Sequence, residues 1–234
     1  MAAHNPVKTR QTHRCEIVGV IATRADLHLA LEMANPPDFF ELRLDCLSGR
    51  EDELEKKIPA LGKPLIITAR HPAEGGANNL PLARRRELLL RFLPHAHYID
   101  LELRSVEAFH SLLNLPAARK TRRIISLHDF DSTPSPRSLH AKARAAKSYG
   151  ASVFKAATRT DTPAQLARLF EFVANRDPDI ALSVMGIGHL GAVARVALAR
   201  CGSTLIYGCL AGSQLEGQLS VEQLRAAFAV FGIH

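Results

Sequence analysis

A lysine stands in the middle of a segment whose other residues are typical of a buried strand. In ASVFKAAT, residues 151–158, Lys155 follows Val153 and Phe154 and precedes two alanines. Taking an ammonium group out of water is costly unless the group is paired or loses its proton. A lysine that is desolvated and held near other cations has a depressed pKa and becomes a nucleophile toward carbonyl carbons. Lys155 is therefore a candidate for imine formation.

A histidine in the preceding strand-like segment suits the same chemistry. His128 lies in RRIISLHDF, residues 122–130. An iminium group acidifies the adjacent carbon, and a histidine with a pKa near neutrality can transfer that proton. Each residue alone also has a structural explanation. His128 could be a hydrogen-bonded core histidine, and Lys155 could extend its amine to solvent.

Other ionisable residues follow the alternation of a β-strand, in which every second side chain faces the same way. In FFELRLD the charged residues share one face and the apolar residues share the other. One ion pair of this kind would be an ordinary structural salt bridge. Several such strands favour an active site, because a core does not need a lysine, a histidine, two arginines and several acids together. The residues of this set are Glu41, Arg43, Asp45, Arg70, Asp100, Glu102, Ser126, His128 and Lys155.

The elements that must position these residues alternate between short β-rich runs and amphipathic helical stretches. The predicted strands span 15–22, 39–45, 64–70, 97–103, 122–130, 151–158, 180–186 and 204–210. A spacing of about 25 to 30 residues suits a βα unit. Eight units predict an α/β fold, the (β/α)8 TIM barrel, with its site at the carboxyl ends of the strands. A doubly wound open sheet is the alternative, but GVIATRAD stands where its glycine-rich fingerprint would be.

Length and composition fit one domain of an ordinary globular protein. The chain has 234 residues, 47% of them hydrophobic and 23% charged. No linker divides it, which predicts a single barrel domain over residues 1–234, with residues 1–14 as a polar N-terminal extension. The start lacks the apolar run of a signal peptide, and the most apolar stretch is interrupted by His189 and Arg195.

The charge and the cysteines limit the class of partner. The net charge is +7, but the basic residues are dispersed over separate helices, there is no tryptophan, and only 6% of residues are aromatic. This pattern argues against a nucleic-acid binder and suits an anionic small substrate. The four cysteines are scattered and form no C-x-x-C pair. They predict reduced thiols in a cytoplasmic protein and no zinc site.

The motifs and their order resemble those of the type I 3-dehydroquinate dehydratases, the Schiff-base enzymes of the shikimate pathway. The resemblance runs from about residue 15 to residue 231. It is carried by ELRLD, TARHPAEGG, YIDLEL, ISLHDF, VFKAAT, the stretch that ends at Arg195, and EGQLSVEQLR. Each motif alone is weak, whereas their order, with Lys155 27 residues after His128, is specific.

The resemblance implies a role for each site residue. Lys155 would form the imine with the C3 ketone of 3-dehydroquinate, and His128 would move the proton from C2 to the departing C1 hydroxyl. Glu74 would orient His128, and Arg195 would hold the substrate carboxylate. The other implied substrate-binding residues are Glu41, Arg43, Arg70, Gln218 and Ser213. The family further implies that no cofactor or metal is needed and that the protein is a homodimer.

The chain departs from the family pattern at two places. Ser183-Val184-Met185 stands where the family usually has Met-x-Met, and two additional residues lie between Met185 and Gly191. The family lid commonly reads A-S-A-P-G-Q, but this chain has SQLEGQ, which adds Glu216 near the site of an anionic substrate. Two alternative functions stay open. One is a class I aldolase-like barrel that uses GIGHLG as a phosphate site, and the other is a non-catalytic relative that binds a ligand or partner without turnover.

Overall fold

Eight parallel strands form the centre of the protein. The computed structural model describes residues 14–212 and 215–233. The strands β1–β8 are Glu16–Ile21, Phe39–Arg43, Leu65–Thr68, Ala96–Glu102, Arg122–Asp129, Val153–Arg159, Ala181–Ile187 and Leu205–Cys209. All eight predicted strands are confirmed, with ends that differ by at most two residues. Of the predicted polar extension, residues 1–14, only Arg14 lies within the described residues.

Helices lie between the strands and surround them. The α-helices α1–α9 are Arg24–Glu32, Glu51–Leu61, Leu82–Phe92, His110–Leu113, Pro116–Lys120, Pro136–Ser148, Pro163–Ala174, Gly191–Arg200 and Val221–Phe231. Short 3₁₀ helices span Pro72–Glu74, Leu93–His95 and Glu107–Phe109. The connection from β4 to β5 is broken into short pieces because Pro116 cannot continue α4 and instead begins α5. No helix within 14–212 and 215–233 is long and apolar enough to cross a membrane.

The strands follow one another around a nearly closed barrel. The hydrogen-bonded order is β7-β6-β5-β4-β3-β2-β1-β8, and the pairs are parallel. Individual bonds join the remaining edges: Thr204 N–H donates to Leu182 O at 2.7 Å, and the Ser183 hydroxyl donates to Leu205 O at 2.7 Å. Ser183, which replaces a methionine of the family pattern, therefore helps to close the barrel. The predicted (β/α)8 fold is confirmed.

The barrel interior consists of an apolar layer beneath a polar one. The lower layer contains Phe39, Ile66, Tyr98, Ile124 and Val153. The side chains two positions further along the same strands are Glu41, Thr68, Asp100, Ser126 and Lys155, all buried. The intervening residues, such as Phe40 and Phe154, pack against the helices. This alternation confirms the predicted inward parity and places the charged layer toward the carboxyl ends of the strands.

Two helices begin at a residue whose side chain caps the helix. Thr162 caps α7 through a reciprocal capping box with Gln165, and Pro163 occupies the first helical position. Ser135 caps α6 through one hydrogen bond, which its side chain accepts from Ser138 N–H. These caps fix the start of each helix just after β5 and β6, the strands that carry His128 and Lys155.

Candidate active site

A cavity of about 650 Å³ opens at the carboxyl ends of the strands. Every residue to which the family resemblance gives a role lines it, apart from Ser213, which lies outside the described residues. Four other residues of the inward-facing polar set do not line it, namely Asp45, Asp100, Glu102 and Ser126. The lining includes Glu41, Arg43, Arg70, Glu74, His128, Lys155, Arg195 and Gln218, together with Met185, Tyr207 and Leu215. The residues converge because they stand toward the carboxyl ends of several strands or on the segments that follow those strands.

Lys155 projects from β6 into the centre of this cavity and is only 3% exposed. Its Nζ lies 3.0 Å from Asp100 Oδ2 and 3.5 Å from Glu41 Oε1. It also lies 3.7 Å from the centroid of the Tyr207 ring. Other cations were expected around this lysine from the sequence. The structure instead puts two carboxylates and an aromatic face in first contact with it, and all three stabilise a positive charge at Nζ.

Asp100 is part of a buried charge network beneath the cavity. Arg70 donates to both oxygens of Asp100, at 3.1 and 2.8 Å, and its Nη1 also donates to the Ser126 hydroxyl and to Glu102. Burial alone would raise the pKa of Asp100, but Arg70 and Lys155 lower it well below its usual range. Asp100 is therefore an ionised partner that remains paired even without Lys155.

His128 and Glu74 form a second functional pair. Glu74 Oε2 lies 3.1 Å from His128 Nδ1 and also accepts the backbone N–H of His128 at 2.9 Å. Burial raises the pKa of Glu74 to about 7. Burial, together with the nearby Arg70 and Lys155 cations, lowers the pKa of His128 well below its usual value, so the ring is neutral at pH 7. Because Nδ1 faces Glu74, Nε2 is the ring nitrogen available to the cavity.

Arg43 is held at the cavity wall by its strand neighbour Asp45. The guanidinium donates to both carboxylate oxygens, at 3.0 and 2.7 Å, and to Gly75 O at 2.9 Å. Asp45 is fully buried and accepts further hydrogen bonds from the backbone N–H groups of Arg70 and Ala77. Asp45 therefore ties β2 to the loop after β3 and fixes the orientation of Arg43.

Arg195, in α8, has the opposite environment. It is 1% exposed, and its guanidinium contacts neutral groups: Gly217 O at 3.2 Å, Tyr207 O at 3.1 Å and Met185 Sδ at 3.1 Å. Among the described residues no carboxylate pairs with it. Burial consequently lowers the pKa of Arg195 to about 10. A buried cation without a counterion, at the wall of a cavity, is suited to bind an anionic group of a ligand.

Tyr207 is the contact residue that sequence reasoning missed. It occupies an inward position of β8, and strand alternation in TLIYGCL could have shown this. Its aromatic face supports Lys155, yet its hydroxyl is buried without a hydrogen-bond partner among the described residues. Burial, with the nearby Glu41 and Asp100 carboxylates, raises its pKa well above the usual value, so the phenol stays neutral.

Tyr207→Phe is expected to raise the free energy of unfolding by about 1 kcal/mol, because it removes a buried donor that no group satisfies and keeps the ring beneath Lys155. Urea unfolding at pH 7, compared with the wild type, measures the change. Tyr207→Leu removes the ring as well and is expected to lower the free energy of unfolding. A lower stability of the phenylalanine variant would show that the hydroxyl has a partner in solution.

In the part of the site that the structure describes, the metal-ligating side chains are not clustered. Within residues 14–212 and 215–233, no three or more His, Cys, Asp or Glu side chains are grouped so that they could hold one. The charged groups of the cavity instead pair with each other or, like Arg195, face it. The arrangement combines an amine, a hydrogen-bonded histidine and an uncompensated cation around one small space.

A parallel eight-stranded barrel with these polar side chains at the carboxyl ends of its strands defines a (β/α)8-barrel enzyme. The model of the family described as type I 3-dehydroquinase matches residues 18–234. The 3-dehydroquinate dehydratase of Desulfotalea psychrophila is 33% identical over 199 residues, which cover 82% of this chain and 86% of that protein. The catabolic 3-dehydroquinate dehydratase of Acinetobacter baylyi is 28% identical, with coverage of 80% and 74%.

Solved structures show the same fold. The 3-dehydroquinate dehydratase of Geobacillus kaustophilus superposes with a TM-score of 0.83 at 24% identity, covering 94% of this chain and 91% of that one. The type I enzyme of Clostridium difficile, with covalent modified comenic acid, gives 0.82 at 22% identity, with coverage of 93% and 92%. The chain belongs to the type I 3-dehydroquinase family, a family of hydro-lyases.

Proposed function

We propose that the protein dehydrates 3-dehydroquinate to 3-dehydroshikimate through a Schiff base on Lys155. The observation that carries this proposal is the position of the Lys155 amine, buried in the same cavity as the His128–Glu74 pair and the uncompensated Arg195. A substrate that carries a ketone, an acidic C–H bond beside it and a carboxylate would use all three groups. Family membership supports 3-dehydroquinate as that substrate.

In the first step, the Lys155 ammonium gives up a proton and its nitrogen attacks the C3 carbonyl carbon. That proton and a second one from the nitrogen pass to the former carbonyl oxygen. Loss of water then leaves a cationic iminium group at the position of the former ammonium. Asp100, Glu41 and the Tyr207 ring already surround that position at 3.0 to 3.7 Å. The electrostatic environment that stabilises the resting ammonium therefore also stabilises the iminium, and little reorganisation is required.

In the second step, His128 moves one proton. Neutral His128 Nε2 takes a proton from C2, and the electron pair of that bond flows into the iminium to form an enamine. The imidazolium then gives the proton to the C1 hydroxyl, which leaves as water. Glu74, 3.1 Å from Nδ1, orients the ring, and its carboxylate form stabilises the imidazolium. Hydrolysis of the remaining imine releases the product and the free amine.

The other cavity residues are proposed to hold the substrate. Arg195 would bind the carboxylate through charge-assisted hydrogen bonds. The ring hydroxyls would contact residues of β2, of the loop after β3 and of the segment after β8, namely Glu41, Arg43, Arg70, Gln218 and Ser213. Arg43 is rigid because Asp45 binds it in a bidentate manner, which suits it to orient a hydroxyl group.

The backbone of GIGHLG does not support the alternative of a phosphate-binding aldolase. The amides of residues 188–191 donate to Glu216 O, Asp161 Oδ1, Thr160 O and Gly188 O, respectively. With these four amides occupied by protein acceptors, this loop does not offer the backbone donors of a phosphate site. The alternative of a non-catalytic relative is decided by turnover.

The proposed function is tested by incubating the purified protein with 3-dehydroquinate. Formation of the conjugated enone of the product, followed by its ultraviolet absorbance, is expected at a rate proportional to enzyme concentration. A phosphorylated ketose serves as the comparison substrate and should not be cleaved. Binding of 3-dehydroquinate without enone formation would instead indicate a non-catalytic relative.

Arg195→Met is expected to raise KM about 10- to 100-fold, which corresponds to the loss of a charged hydrogen-bonding partner for the substrate. The effect on kcat should be smaller, since Arg195 does not touch the reacting carbons. Steady-state kinetics measure both parameters. Arg200→Met, which removes the same charge from the exposed end of α8, is the matched control and should leave KM unchanged. An unchanged KM in Arg195→Met would contradict the carboxylate-binding role.

We also make predictions about the domain organisation, the oligomeric state and the location of the protein. We expect the chain to act as one barrel domain, as a homodimer and in the cytoplasm. Sedimentation of the purified protein would measure its oligomeric state directly.

A further inference from the structure

The segment after β8 contains a carboxylate that turns away from the cavity. Leu215 and Gln218 line the cavity, whereas Glu216, which lies between them, does not. Glu216 Oε2 lies 3.2 Å from Arg159 Nη2, and Oε1 lies 3.0 Å from His189 Nδ1. We call these three residues the lid latch. The sequence placed an acidic residue near the site of an anionic substrate. In the structure, the Glu216 carboxylate contacts two basic side chains and does not face the cavity.

The backbone strengthens the same connection. Glu216 O accepts the N–H of Gly188 at 3.0 Å, in the loop between β7 and α8. Gly217, with a φ of 77°, packs directly on that loop: a Cβ there would lie 2.4 Å from Gly188 O and 2.7 Å from Gly191 Cα. Only glycine fits such a contact. Residues 216 and 217 are thus joined to the β7–α8 loop by main chain and by side chain.

This connection reaches the substrate-binding groups. The carbonyl of Gly217, the residue after Glu216, accepts a hydrogen bond from Arg195 Nε at 3.2 Å. On the other side, Gln218 donates its N–H to Leu215 O at 3.1 Å, which closes a turn around Glu216. A shift of Glu216 would therefore displace the carbonyl that orients Arg195 and the turn that places Gln218 in the cavity wall.

We propose that Glu216 is a positioning residue that fastens residues 215–218 over the cavity through Arg159 and His189 and thereby raises the affinity for the anionic substrate. Its partners come from the loop beyond β7 and the end of β6, whereas the segment it fastens follows β8. The two additional residues between Met185 and Gly191 lie in the loop that holds Glu216. That loop supplies His189 and the Gly188 N–H that donates to Glu216 O.

A simpler explanation makes the opposite prediction. If Glu216 were only a charge near the mouth of the cavity, its removal would favour the approach of an anionic substrate and lower KM. If it is the latch, its removal frees the segment and raises KM. Because Glu216 is 46% exposed and His189 73% exposed, each of the two side-chain contacts alone is weak. The expected rise is therefore moderate, about threefold to tenfold for the two pairs together.

The test compares Glu216→Ala with the wild type in steady-state kinetics on 3-dehydroquinate. KM is expected to rise by that factor, while kcat and the reaction of Lys155 at saturating substrate stay unchanged. Glu171→Ala on α7 is the matched control: it removes an exposed carboxylate that makes no ion pair among the described residues. Arg159→Ala should raise KM as well, and the double variant should be no worse than the more severe single variant.

Because the kinetic readout rests on the proposed function, hydrogen exchange supplies a readout that does not. The amide of Gly188 donates to the backbone carbonyl of Glu216, which the alanine variant retains. Loss of the carboxylate contacts should free the segment and break this bond more often. The amide should therefore exchange faster in Glu216→Ala than in the wild type or in Glu171→Ala. Unchanged exchange, or a KM that falls or stays the same, would overturn the latch. If the wild type shows no turnover, the proposed function fails, and the exchange measurement alone decides the latch.

Discussion

Lys155→Ala is expected to lower turnover of 3-dehydroquinate by about 10⁴-fold or more, because the variant lacks the nucleophile and cannot form the iminium that acidifies C2. The same variant should form no adduct when substrate and borohydride are added together. Enone formation measures the first effect, and intact-protein mass spectrometry measures the second. Full turnover by the alanine variant would rule out the covalent mechanism.

Loss of folding is a foreseeable complication, since removing one partner of a buried ion pair destabilises proteins. The network around Lys155 limits this effect, because Asp100 keeps its bonds to Arg70 and Ser126, and Glu41 keeps the Thr68 hydroxyl. Lys155→Met, which retains most of the side-chain volume, is the second variant. Lys147→Ala, at a surface lysine of α6, is the control and should behave as the wild type.

His128→Ala is expected to lower kcat by about 10²- to 10⁴-fold, the range for loss of a general acid–base group, while imine formation persists. The two effects separate because Lys155 keeps its neighbours when the imidazole is removed. Single-turnover mixing with borohydride should still label the variant with substrate. His28→Ala, at an exposed position of α1, provides the matched histidine control.

The His128 prediction can fail in two distinguishable ways. Turnover at the wild-type rate would show that another group moves the proton. Loss of the borohydride adduct together with turnover would place His128 in imine formation instead. The proposed role as a base at Nε2 requires the neutral ring, which the lowered pKa of His128 provides at pH 7.

Strand alternation made most of the site predictable from the sequence. The inward parity of Glu41, Asp100 and Lys155 follows from the two-residue period of a strand, and a parallel barrel brings the carboxyl ends of all strands together. Position along the strand then decides depth, which is why the residues two places earlier are apolar. These rules are local, so one sequence is enough to apply them.

Partner choice inside the cavity was not predictable in the same way. Cations were expected around Lys155 from the sequence. In the structure, Arg70 pairs with Asp100, and Asp100 Oδ2 also contacts the Lys155 amine. Only the folded barrel determines this choice of partners. The direction of Glu216 depends on Arg159 and His189, which come from two other connections of the barrel. Contacts between distant segments have no periodic signature in the chain.

The proposed mechanism depends on covalent attachment of the substrate to Lys155. The most direct measurement is to incubate the wild-type protein with 3-dehydroquinate and borohydride, digest it, and locate the modified residue by mass spectrometry. A single reduced adduct is expected on the peptide that carries Lys155, formed only when substrate and borohydride are both present. Rapid turnover without any adduct, or an adduct on another lysine while Lys155 stays unmodified, would contradict it.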